Sequence, residues 1–177
     1  MKSIFKWLLI CTTISVLFGC ATPANKQAMS ISASDMTATK SAALKNAVVV
    51  RNTSGGKSTN PLWTSQVDNE GFKGALEQSL AIVGYKAADP TTARYVVDVE
   101  LKKIDQPIFG GAFTVPSNVV YTVSDGSTIK TFPVNAAGTA KFSEHWVGVE
   151  RLRLATEKSV KENIREFINQ ISSSFVE

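Results

Sequence analysis

The stretch Tyr95–Lys102, YVVDVELK, alternates apolar and polar side chains at period two. Tyr95, Val97, Val99 and Leu101 fall on one side, and Val96, Asp98, Glu100 and Lys102 on the other. A strand patterned this way has one buried and one wet face, so its sheet is covered by helices on one side only. Upstream the period changes. Val67, Phe72, Ala75, Leu76, Leu80 and Val83 recur at three- and four-residue steps, which is the apolar stripe of an amphipathic helix starting near Ser65. Ser65 or Asp68 can cap its start, and Gly84 suits the left-handed residue that stops it. Before it, Lys45–Arg51 (KNAVVVR) is a β-branched run ended by Asn52–Gly56, and Asn60-Pro61 marks a turn. Strand, helix and strand in this order make a βαβ crossover.

Downstream, Val119–Val123 and Thr128–Val134 flank Ser124-Asp125-Gly126-Ser127, a hairpin signal. Pro133 cannot donate to a ladder and favours an edge strand or a bulge. Gly138–Phe142 extends the ribbon. A final helix is predicted over 148–173, with Val160, Ile164, Phe167, Ile168, Ile171 and Phe175 as its buried stripe. Glu157, Lys158, Lys161, Glu162, Arg165 and Glu166 are expected on a solvated surface. The order β-α-β-β-β-α predicts an α/β (α+β) domain: a two-layer sandwich with a small mixed sheet and two helices on one face.

The amino terminus, MKSIFKWLLICTTISVLFGC, has a basic start at Lys2 and Lys6 and an apolar run over Trp7–Phe18. That run is shorter than the ~20 residues needed to span a bilayer, and its layout is that of a signal peptide covering residues 1–19. Leu17-Phe18-Gly19-Cys20 resembles the lipobox of bacterial lipoproteins. The resemblance implies cleavage before Cys20, diacylglycerol on its thiol and acylation of the freed amine. Cys11 leaves with the leader, so the folded part holds no disulfide and no thiolate metal ligand. Of the 19 basic side chains, 17 remain against 15 acidic ones, a net +2. Such a balance is no electrostatic footprint for nucleic acid. Residues 20–44 are rich in Ala, Ser and Thr and lack aromatics. They read as the lipidated cysteine and a flexible tether, or alternatively as a loose Ala-rich helix, with the domain proper at 45–177.

Few residues suggest chemistry. Gly56-Lys57-Ser58-Thr59 echoes the end of a phosphate-binding loop, but Arg51 replaces the required first glycine and Asn60-Pro61 breaks the required helix. His145 is the lone histidine, with no serine-nucleophile pattern to pair with it. Asp98 and Glu100 share a strand face with Lys102, a solvated arrangement rather than a pair facing across a cleft. No cofactor or metal site is expected, and no enzymatic activity. The segment Asp105–Ser117 (DQPIFGGAFTVPS) stands out. Ile108, Phe109 and Phe113 surround Gly110-Gly111 between two strands, either as an exposed contact for a partner or as a lid folded over the core.

Over the body, Asn60-Pro61, Phe72, Ala75-Leu76, Ser79-Leu80, Gly84-Tyr85, Gln106-Pro107 and Glu157–Ile164 resemble a family of small periplasmic lipoproteins. More distantly, the order of elements is similar to the amino-terminal domain of TolB and to lipoprotein activators of penicillin-binding proteins. The resemblance implies a non-enzymatic binding or accessory module in cell-envelope assembly or maintenance, working with an envelope protein. Ala21 after the cysteine implies the periplasmic face of the outer membrane. The alternative is a carrier of a small apolar ligand or lipid, which requires a pocket between helices and sheet.

Overall fold

The structure, a computed structural model, describes residues 22–59, 66–107 and 109–175. Cys20, the Asn60-Pro61 turn, Ser65 and Ile108 lie outside them. A short helix α1 (Lys26–Met29) precedes β1 (Val48–Ser54), α2 (Asn69–Val83), β2 (Tyr95–Ile104), β3 (Phe113–Ser124), β4 (Ile129–Ala140) and α3 (Gly148–Ser174). The four strands lie in sequence order as one mixed sheet: β1 pairs parallel with β2, and the other pairs are antiparallel.

The alternation in β2 becomes burial: Tyr95, Val97, Val99 and Leu101 are buried, and the residues between them face outward. Across the ladder Val97 meets Val123, Val99 meets Tyr121, and Tyr121 meets Phe132, so one face of the sheet is a continuous apolar floor. Helices α2 and α3 cover that floor. Leu76 and Leu80 from α2, and Ile164, Phe167, Ile168 and Ile171 from α3, are essentially inaccessible. The Tyr121 ring stacks on Phe167 with centroids 3.8 Å apart, and Phe132 meets Phe167 edge-on at 6.0 Å. Aromatic pairs of this geometry add to simple area burial. Burial pushes the Tyr121 hydroxyl well above its ordinary pKa, and that hydroxyl donates to Asn163 Oδ1 at 2.8 Å.

The local signals act where the sequence places them. Asp68 caps α2 by accepting the Gly71 N–H, and Gly84 stops it at φ 84°. Asp125 Oδ1 accepts the N–H groups of Ser127 and Thr128, tightening the β3–β4 turn and holding the Asp125 carboxyl below its usual pKa. Pro133 sits on β4, an edge of the sheet. Gly138, also on β4, lets α3 approach. A Cβ there would lie 2.2 Å from Ser159 N and 2.3 Å from Ala155 O.

The expected tether is corrected. Residues 24–44 form a strap bound across the helical layer. Ala24 N–H donates to Gln66 O at 3.4 Å, and Asn25 N–H to Glu157 Oε1 at 2.8 Å. Met29, Ile31 and Leu44 are core residues, each with 2% of its surface exposed or less. Ile31 N–H donates to Ser79 Oγ, Asp35 pairs with Lys161 at 2.8 Å, and Ser41 N–H donates to the buried Tyr85 hydroxyl. The physical reason is that three well-spaced large side chains and a set of satisfied polar groups hold a segment whose composition alone would leave it loose. Glu157 is corrected with it. Expected on the surface, it is buried, where Asn25 and Arg153 consume its Oε1.

Candidate functional site

The Asp105–Ser117 segment divides. Phe113 is the first residue of β3 and is buried with Val115, Ala140, Leu152 and Ala155 in a small cluster at one end of the sheet. Phe113 therefore is not the exposed contact that the sequence allowed. Phe109, four residues earlier, is 89% exposed. Strand β3 can start so early despite Pro116 because Pro116 directs its carbonyl to Asp105 N–H at 3.0 Å, away from β4. No β3–β4 bond then needs the missing Pro116 N–H.

Two further aromatics stand at the same end, on the connection from β4 to α3. Phe142 is 63% and Trp146 76% exposed. The sequence reading missed both. Their signal was an aromatic pair with no periodic partner inside the polar run Lys141–Gly148. The two connections meet because β2 and β4 run toward this end of the sheet and β3 departs from it.

Arg151, in the first turn of α3, joins them. It is 5% exposed, and among the described residues no carboxylate pairs with its guanidinium. Nη1 donates to the carbonyls of His145 (2.9 Å) and Trp146 (3.3 Å), and Nη2 to that of Gly110 (3.3 Å). The guanidinium carbon stands 4.9 Å from the Phe113 ring centre and 5.2 Å from that of Phe142. One cation thus ties the loop bearing Phe109 to the loop bearing Phe142 and Trp146. Nε is buried and has no hydrogen-bond partner among the described residues. The neighbouring Glu144 carboxyl is held below its usual pKa by its bond to Lys158 and by the Lys141 N–H.

The other residues weighed for chemistry have structural tasks. His145 Nδ1 accepts the Val147 N–H at 3.2 Å. Asp98 takes a two-pronged ion pair from Arg51, and Glu100 pairs with Lys102 at 2.6 Å. Gly56 N–H and Lys57 N–H are fixed by Asn69 Oδ1 and Val67 O, and α2 starts at Asn69, not at Lys57. Among the described residues no group of three or more His, Cys, Asp or Glu could hold a metal ion. The space between helices and sheet, where a carried ligand would go, is filled by Phe72, Tyr121, Phe132 and Phe167. The groove between β1 and α2, about 570 Å³, is open to the surface and lined by Val50, Lys73, Glu77 and Ala87 among others. Among the described residues no helix is long and apolar enough to cross a membrane.

No family model matches the chain, and no curated protein sequence does. Solved structures share its fold. A candidate lipoprotein from Caulobacter crescentus CB15 superimposes with a TM-score of 0.52 at 10% identity, over 75% of this chain and 92% of its own. A DUF330 protein from Xanthomonas campestris does so with a TM-score of 0.50 at 11% identity, over 78% and 94%. At these identities the likeness is one of fold.

Proposed function

We propose that this protein is a lipid-anchored, non-enzymatic accessory module of the bacterial cell envelope. Cys20 holds it on the periplasmic face of the outer membrane, where it works with an envelope protein. The observation that carries this reading is Leu17-Phe18-Gly19-Cys20 closing a leader directly ahead of this domain. The Caulobacter crescentus neighbour, described as a candidate lipoprotein, is in keeping with it. So is the likeness read in the sequence to the TolB amino-terminal domain and to activators of penicillin-binding proteins, which are binding modules rather than catalysts. The polar groups buried in the body serve its packing: Tyr121, Asn163, Ser117 and Ser159 bond one another, as do Tyr85 and Ser172.

Cys20→Ser tests the anchor. Three acyl chains at ~0.8 kcal/mol per buried methylene fix a protein to a bilayer, whereas one chain is marginal. The parent should carry an acylated amino terminus by mass spectrometry and sediment with membranes. The variant should be unacylated or remain an unprocessed precursor. Acylation of the variant as in the parent would refute the reading.

A further inference from the structure

We infer that the end of the domain bearing Phe109, Phe142 and Trp146 rests on the lipid surface of the membrane that holds Cys20. The inference depends on Cys20 carrying the anchor, and its starting point is the way these aromatics are held. Single exposed apolar side chains are ordinary. Here three large rings, 89%, 63% and 76% exposed, share one end of the sheet. Arg151 bonds carbonyls of both loops that carry them and lies over the Phe142 ring. The two loops that carry them are thus tied to each other through one buried side chain.

The length of chain ahead of the strap supplies the second argument. Ala24 N–H is bonded to Gln66 O, and Cys20 lies four residues before Ala24. Four residues extend at most about 14 Å. The Gln66 side chain donates to Gln106 Oε1 at 3.4 Å, at the start of the connection that carries Phe109. The anchor therefore joins the domain on the side of the aromatic end. A domain strapped so close to its anchor is held against the bilayer, with the aromatic end beside the point of attachment.

The side chains fit that occupant. Tryptophan favours the headgroup level, where its ring is half apolar and its N–H stays wet, and phenylalanine buries apolar area just below. At the opposite end of the sheet Ile129 is 69% exposed beside the β3–β4 turn, which makes it the internal control.

The test uses the full acylated chain in vesicles of phosphatidylethanolamine and phosphatidylglycerol, isolated by flotation. Acylation consumes the Cys20 thiol and Cys11 leaves with the leader, so Phe109→Cys, Trp146→Cys and Ile129→Cys each provide one thiol for a nitroxide. Labels at 109 and 146 should collide with oxygen and be shielded from an aqueous nickel complex, while the label at 129 should be open to nickel. In the unlabelled Trp63→Phe chain, brominated lipid should quench Trp146, a readout that needs no substitution in the surface itself. Floating vesicles with 109 and 146 open to nickel and Trp146 unquenched would overturn the inference and leave the anchor intact. Shielding from both reagents would mean that a second copy covers the rings, and would overturn it as well. Failure of the parent chain to float would overturn the anchor reading and the inference together.

Discussion

Replacing Met29 by alanine tests whether the strap belongs to the folded domain. Met29 exposes none of its surface, and α1 packs against both α2 and α3. A single helical turn has no stability of its own, because nucleation costs more than one turn of bonds returns. Its place is therefore held by this side chain and by the Asn25–Glu157 bond. Buried Met→Ala changes cost ~2–5 kcal/mol through lost burial and the cavity left behind. The middle of that range, about 3 kcal/mol, is expected because strap and helices can close only part of the gap. With a urea dependence of about 2 kcal/mol per M, the unfolding midpoint should fall by about 1.5 M. Gln27→Ala, on the exposed side of the same turn, should stay within about 0.5 kcal/mol of the parent. The measurement is a urea melt of the three proteins followed by circular dichroism. A fall of less than about 0.3 M for Met29→Ala would refute the strap, since surface substitutions give as much.

Two other outcomes follow from the packing. Gly138→Ala should cost ~1–3 kcal/mol or more in a thermal melt, because the new Cβ meets the backbone of α3 and neither partner can rotate away. Asp35 titrates to about 2 instead of 3.8, mainly through its bond to Lys161 and then through the Ser32 N–H. A depressed carboxyl pKa stabilises the fold above the unfolded value and stops doing so as pH falls through the folded one. Asp35→Asn should therefore be less stable than the parent near neutrality, and the gap should close between pH 3.8 and about 2. A gap that persists at the acid end in urea melts would assign the effect to something other than this ion pair.

Much of the architecture was written locally. The period-two run in β2, the helical stripe of α2, the Gly84 stop and the Asp125-Gly126 turn depend on neighbours a few residues away, so they can be read from the chain directly. The order of elements then leaves few sheets to choose from. The two-layer mixed sandwich and its four strands came from those signals together.

What tertiary structure decided lies in residues whose partners are distant in sequence. Nothing local separates Phe109 from Phe113. The second is buried because β3 pairs with β4 as far as Phe113 opposite Ala140, and Leu152 and Ala155 of α3 close over it. The alternation of Phe113, Val115, Val119, Tyr121 and Val123 was present in the sequence, but Pro116 and Ser117 interrupted it. Ser117 is tolerated there only because Ser159 and Asn163, on α3, bond its hydroxyl. The strap is the plainest case. Its Ala-, Ser- and Thr-rich sequence buries too little to fold alone, and composition therefore reads it as loose. Glu157, Ser79, Tyr85 and Lys161 supply its bonds from 44 to 132 residues away. Local sequence sets which face of an element is apolar, but whether a marginal segment is held depends on partners that only the assembled helical layer brings within reach.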